Sequence, residues 1–196
     1  DLSAQADRMD QRITRLFALS RPVELQCRPT RFADIVSNAE AQALPLLQTR
    51  GVHVRVEDRT GTASFHVDSD QLIQALAELL TNAAHHSPGG AAIGVCGESV
   101  AADPVAGGPE LHITVEDHGI GMSDATSHKA FDLFFTSRPD GTGVGLTLVQ
   151  RIVERHGGTI HMGSQRGKST RLKLRIPNLA ATADGPGGPA GGGENG

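Results

Sequence analysis

Residues 70–88 read DQLIQALAELLTNAAHHSP, and no other stretch constrains the fold as much. Leu72, Leu76, Leu79 and Ala83 recur at helical spacing, so they form an apolar stripe that must face a core. Asp68, Ser69 and Asp70 supply N-cap chemistry ahead of it, and Pro88-Gly89-Gly90 ends it. Glu78, Asn82 and His85 make a second, polar stripe about 120° around the helix. Such a stripe fits a solvated face. Asn82 and Glu78 are also suitable oxygen donors for a hydrated Mg²⁺, which keeps several waters and takes one or two protein oxygens beside phosphate.

The elements around this helix define the fold class. A helix is expected from Arg31 to about Thr49, with Phe32, Ile35, Val36, Ala39 and Ala43 on one face and Pro45 able to kink its end. VHVRVED (52–58) and ASFHV (63–67) alternate apolar and polar residues around RTG, which predicts a hairpin. AAIGVCG and LHITVED read as strands joined by ESVAADPVAGGP. A strand-poor, lid-like segment covers 122–141. A helix then runs from about Val144 to His156 and stops at Gly157-Gly158. TIHMGS and STRLKLRIP predict a closing hairpin. This order implies an α+β fold, a two-layer sandwich of a mixed sheet with helices on one face.

Outside that block, Leu2, Ala6, Met9, Ile13 and Leu16 form a narrow apolar seam on residues 1–20. The seam suits either a helix–helix dimer or a lone helix docked on its own domain. Residues 20–30, with two prolines, read as an extended linker. Residues 179–196 are Ala, Gly and Pro and read as a disordered tail. The chain begins without Met, as though in mid-helix, and is expected to be a piece of something longer.

Composition removes other classes. A net charge of −4 gives no general pull toward nucleic acid or anionic membrane. The chain lacks Trp and Tyr and has six Phe, so it lacks a base-stacking platform. Its longest apolar runs fall short of the roughly 20 residues that cross a bilayer. Cys27 and Cys96 have no CxxC partner, which fits a reduced, cytosolic setting, although two cysteines can also form a single bridge.

Two glycine clusters carry further chemistry. In VEDHGIGMS (115–123), Asp117 stands at a strand end, where its carboxylate can accept a hydrogen bond from an exocyclic amine such as that of adenine. Gly119 and Gly121 let the main chain approach a flat ring. DxGxG alone is a weak signal. GTGVGL, Gly141 to Leu146, leads straight into a helix, so its N–H groups and the helix N-terminus can cradle phosphate. Its GxGxG spacing is not the dinucleotide fingerprint. GSQRGKS (163–169) has one residue too few between its glycines for a P-loop and reads as a hairpin turn. None of the nine histidines has a metal-ligand spacing.

In order, ExxxN on a helix, DxGxG, Phe131 with Phe134-Phe135, GTGVGL and RIVERHGGTI resemble the ATP-binding catalytic domain of sensor histidine kinases. These belong to the superfamily that includes DNA gyrase, Hsp90 and MutL, whose Bergerat-type fold the resemblance implies over 31–178. FFTSRPDGTGVGLTLVQRIVERHGG looks like the nitrogen-regulation type with a short lid. Residues 1–20 look like the end of its dimerisation hairpin.

The resemblance implies ATP and Mg²⁺ as cofactors, with Asn82 as a metal ligand, Glu78 beside it, and Asp117 on the adenine amine. Gly119 and Gly121 would shape the pocket. Phe131 and Phe134 would pack the lid, and Gly141, Thr142, Gly143, Val144, Gly145 and Leu146 would face phosphate. His85 and His86 occupy positions where the family has a Lys and an aromatic. Arg138 replaces a Lys ahead of the second glycine box, while Ser169 and Leu172 replace a Gly and a Phe.

The implied activity is transfer of the γ-phosphoryl to a histidine upstream of residue 1, for relay to a response-regulator receiver domain. The intact protein would be a cytoplasmic homodimer, membrane-attached only through other segments. Glu78 stands where the ATPase branch of the superfamily activates water, so a gyrase- or MutL-type ATPase is an alternative. A non-catalytic nucleotide-binding module is another.

Overall fold

The structure is a computed structural model that describes residues 24–101, 108–138 and 141–179. The seam at 1–20 and the residues from 180 onward lie outside them. In chain order the elements are β1 (Arg28–Thr30), α1 (Phe32–Arg50), β2 (His53–Arg59), β3 (Phe65–Val67), α2 (Ser69–His86), β4 (Ala92–Val100), β5 (Glu110–Asp117), α3 (Asp124–Lys129), α4 (Gly145–Arg155), β6 (Thr159–Gln165) and β7 (Ser169–Ile176).

Five strands form one mixed sheet in the order β2-β4-β5-β7-β6, with β2 parallel to β4 and the other pairs antiparallel. Alternation puts Ile93, Val95, Leu111, Ile113, Val115, Leu172, Leu174 and Ile176 on one buried face. The opposite face carries Glu98, His112, Glu116, Arg171, Lys173 and Arg175, with Arg171 paired to Glu116 at 2.8 Å. Helices α1, α2 and α4 cover the apolar face. The expected two-layer α+β architecture is therefore present.

Helix α2 starts where Asp68 accepts from the Gln71 N–H at 3.1 Å. Leu72, Leu76, Leu79 and Ala83 are all buried, and burying each leucine contributes about 1.5–3 kcal/mol. Helix α1 buries Phe32, Ile35, Val36, Ala39, Ala43 and Leu47 and runs through Pro45 without ending. Its Phe32 ring lies where a Cβ on residue 97 of β4 would stand, so Gly97 is the residue that lets α1 settle on the sheet.

The expected hairpin over 52–67 does not form. Strand β2 pairs in parallel with β4, from His53 opposite Ala92 to Arg59 opposite Glu98. Strand β3 instead pairs antiparallel with β1, part of the segment read as a linker, in a small separate sheet. The reason is burial. Phe65 and Val67 are fully buried, whereas β2 is an edge strand with six of its seven residues exposed. Pairing them would leave two core side chains at a wet edge. Asp58 Oδ1 accepts from both the N–H and the hydroxyl of Thr60 and turns the chain away. Cys27 and Cys96 are both free thiols.

Candidate functional site

The polar stripe of α2, the loop after β5, the segments 122–138 and 141–146 and the start of β7 enclose a cavity of about 670 Å³. Of the residues expected to act, Glu78, Asn82, His85, His86, Asp117, Gly121, Arg138, Gly141, Thr142, Gly143, Gly145 and Leu146 line it.

Asp117 ends β5 and is buried. Its Oδ1 accepts from the Gly119 N–H at 2.9 Å, which leaves the second oxygen for another donor. Burial pushes the carboxyl above the ordinary carboxylate range, and the Gly119 bond only partly offsets this. The glycines behind it serve the protein's own backbone rather than a ligand ring. A Cβ on residue 119 would collide with the His86 carbonyl, and one on residue 121 with the Gln165 carbonyl; Gly121 also has φ +58°. Gly119 does not line the cavity. It lets the loop close onto the C-terminal end of α2, which brings Asp117 toward His86.

Helix α4 meets the other end of the α2 stripe. A Cβ on Gly145 would lie 2.9 Å from Glu78 Oε2 and 3.4 Å from Asn82 Nδ2. Val144, the N-cap residue, is fully buried and offers no side-chain cap, and the first turn holds no acid. Among the described residues no side chain caps the first N–H groups of α4, which stand at the cavity wall, the arrangement that receives anions. Glu78 and His86 are separated by eight residues of α2, about 12 Å of helix. The amine-accepting end and the anion-accepting end of the cavity therefore stand a nucleotide's length apart.

Two histidines are held by neighbours. Arg50 Nη2 donates to His85 Nδ1 at 3.0 Å, so the His85 proton sits on Nε2. His86 Nδ1 donates to the Asn82 carbonyl at 2.8 Å. Arg138 lines the cavity from the lid, where its N–H donates to Thr136 Oγ1 and its carbonyl accepts from Gly141.

Besides Gly119, three expected residues stand outside the cavity lining. Val144 anchors α4 in the core. Phe131 packs partly buried against the core, its carbonyl accepting from the Thr147 hydroxyl. Phe134 does not pack the lid: the residue is 53% exposed and its backbone is left-handed at φ 67°. The Phe134 N–H donates to Gly143 O at 2.8 Å, which holds that strained turn, and Phe135 supplies the aromatic wall of the cavity instead. Reading also missed Met122, Thr126, Arg166 and Thr170. Thr170 had a signal, since it alternates with Leu172 on the inner face of β7. The others sit on loops and a short helix without periodicity.

Among the described residues no helix is long and apolar enough to cross a membrane, and no group of three or more His, Cys, Asp or Glu side chains is placed to hold a metal.

Residues 67–180 match the family model described as histidine kinase-, DNA gyrase B-, and HSP90-like ATPase. The sensor histidine kinase ZraS of Salmonella typhi is 30% identical over 93% of the chain. The signal transduction histidine-protein kinase AtoS of Escherichia coli K12 is 30% identical over 88%. The chain spans 38% and 28% of the length of these two relatives. The catalytic domain of histidine kinase ThkA shares the fold, with a TM-score of 0.65 and 19% identity over 80% of the chain and 97% of that domain. With a family match over more than half its length, and a cavity built from the glycine loops and helix stripe on which the resemblance rests, the chain belongs to the histidine kinase-, DNA gyrase B- and HSP90-like ATPases.

Proposed function

We propose that this chain is the Mg·ATP-binding catalytic region of a sensor histidine kinase. One observation carries the reading: the buried Asp117 carboxylate and the uncapped start of α4 face a single cavity from opposite ends, with Asn82 and Glu78 beside the latter. Asp117 would accept from the adenine amine, and the α4 N–H groups with Arg138 would hold the phosphates. The donor set fits Mg²⁺. A carboxylate such as Glu78 at the anion end fits beside phosphate when a divalent ion, held by Asn82 and Glu78 with water, lies between them. Bound there, it supplies charge neutralisation of the phosphates.

Phosphoryl transfer needs positioning more than covalent chemistry. The chain's task is therefore to present ATP, with Phe135 and the segment 122–138 limiting water access. The acceptor would be a histidine of the intact protein outside this chain, and a response-regulator receiver domain the next partner. Homodimerisation through the seam at 1–20 and a cytoplasmic position follow from the same reading, supported by the likeness to ZraS and AtoS.

Calorimetry with Mg·ATP, followed by transfer from labelled ATP to a supplied acceptor hairpin, tests it. Binding plus transfer is the expected result, and absence of binding overturns it. Glu78 against the start of α4 favours a second reading, a Glu78-driven ATPase. Steady phosphate release by the chain alone, abolished in Glu78→Gln, would select that one.

A further inference from the structure

The turn between β6 and β7 brings to the cavity a charged group that the proposed function leaves without a role, Arg166. Strand register sets its place. Asp117 at the end of β5 lies opposite Thr170 at the start of β7, and Gln165 lies opposite Ser169. The hairpin tip therefore extends past the same sheet end that carries Asp117.

Three contacts fasten the tip to the loop behind Asp117. The Gly167 N–H donates to Ile120 O at 2.7 Å, and the Met122 N–H donates to Ser164 Oγ at 2.7 Å. The Gln165 carbonyl lies so close to Gly121 that no side chain fits between them. Arg166 is exposed, lines the cavity and forms no ion pair among the described residues. Nearby walls, Val115, Met122 and Leu172, are apolar and suit a flat base. A planar, weakly hydrated guanidinium beside such a slot is the group that stacks on an aromatic ring.

We propose that Arg166 covers the open face of the purine and sets the preference of the cavity for a nucleotide over bare polyphosphate. This rests on the ATP reading above. It assigns to the hairpin turn a role at the base, whereas Arg138 serves the phosphates.

Calorimetry on the full chain would compare Mg·ATP, Mg·ADP, adenosine and magnesium tripolyphosphate across the unmodified protein, Arg166→Ala and Arg166→Lys. The alanine variant should bind ATP, ADP and adenosine equally less well, by about two- to fivefold, with tripolyphosphate unchanged. Lysine, charged but not planar, should fall in between. Thermal melts should coincide, since the side chain is exposed. Equal affinities in all three proteins overturn the proposal. So does a loss that grows with phosphate number and extends to tripolyphosphate, because it would place Arg166 on the phosphates. An unmodified protein that binds neither adenosine nor Mg·ATP overturns the cavity reading and this proposal with it; an unmodified protein that binds Mg·ATP, with both variants binding it equally well, overturns the role of Arg166 alone.

Discussion

Helices α2 and α4 begin in opposite ways. At α2, Asp68 accepts from the Gln71 N–H and side chain with its two oxygens, and also from the Gln26 N–H. The Asp68 N–H donates to His156 Nε2 at 3.2 Å, and His156 Nδ1 donates to Ile152 O at 2.7 Å. Both ring nitrogens of this fully buried histidine have partners. At α4 the first turn has no cap, no acid and a glycine where a side chain would crowd Glu78. One start is closed with partners from the chain itself, and the other keeps its donors for something else. His156, just past the far end of α4, ties that helix to the start of α2 through the Asp68 N–H.

The largest effect should come from opening the closed start. His156→Ala removes a buried ring and leaves the Asp68 N–H and the Ile152 carbonyl without it, at a cost of about 3 kcal/mol. For a domain this size that lowers the melting temperature by about 6–12 °C. An unshifted melt would break the comparison. Asp117→Asn should do the reverse: Mg·ATP affinity falls about 10- to 100-fold, as a bond to a charged acceptor is lost. The melting temperature should hold or rise, because a buried charge has gone. Calorimetry and a thermal scan on the same sample read both. Asp68→Ala should cost about 1 kcal/mol in a urea titration with nucleotide affinity unchanged.

The smallest effect is in pH, and its sign differs between the two regions. Burial lowers the His156 pKa below its usual 6.5, so the unfolded chain takes up the proton first and stability falls as pH drops below 6.5. Burial raises the Asp117 pKa above 3.8, so in the window just above that value acid favours the folded state while removing the charge that holds the amine. Urea melts and Mg·ATP titrations across pH 5 to 7.5 should therefore lose stability faster than affinity; the opposite order contradicts the assignment.

Periodicity made much of this legible. The buried stripe of α2, the limits of α4 and the β6–β7 hairpin follow from spacing, because burial on one side is what spacing reports. Partner choice is another matter. Alternation in 52–67 shows which side chains need a core but not which strand lies alongside, so spacing alone predicts a β2–β3 hairpin where the fold pairs β2 with β4 and β3 with β1. The glycines behind Asp117 were legible as close approaches, but not as approaches of the protein to itself at His86 and Gln165. Phe134 and Phe135 are adjacent in a segment without period, and only the left-handed turn at Phe134 decides which one faces the cavity.

The sheet order β2-β4-β5-β7-β6 has a consequence for local opening. β5 has a hydrogen-bonded strand on each side and helices over one face, while β2 has one neighbour, β4, separated from it in sequence by residues 60–91. Amide exchange should therefore be graded across the sheet, slowest in β5 and quickest in β2, so that the strand bearing Asp117 is the last to let go of its protons.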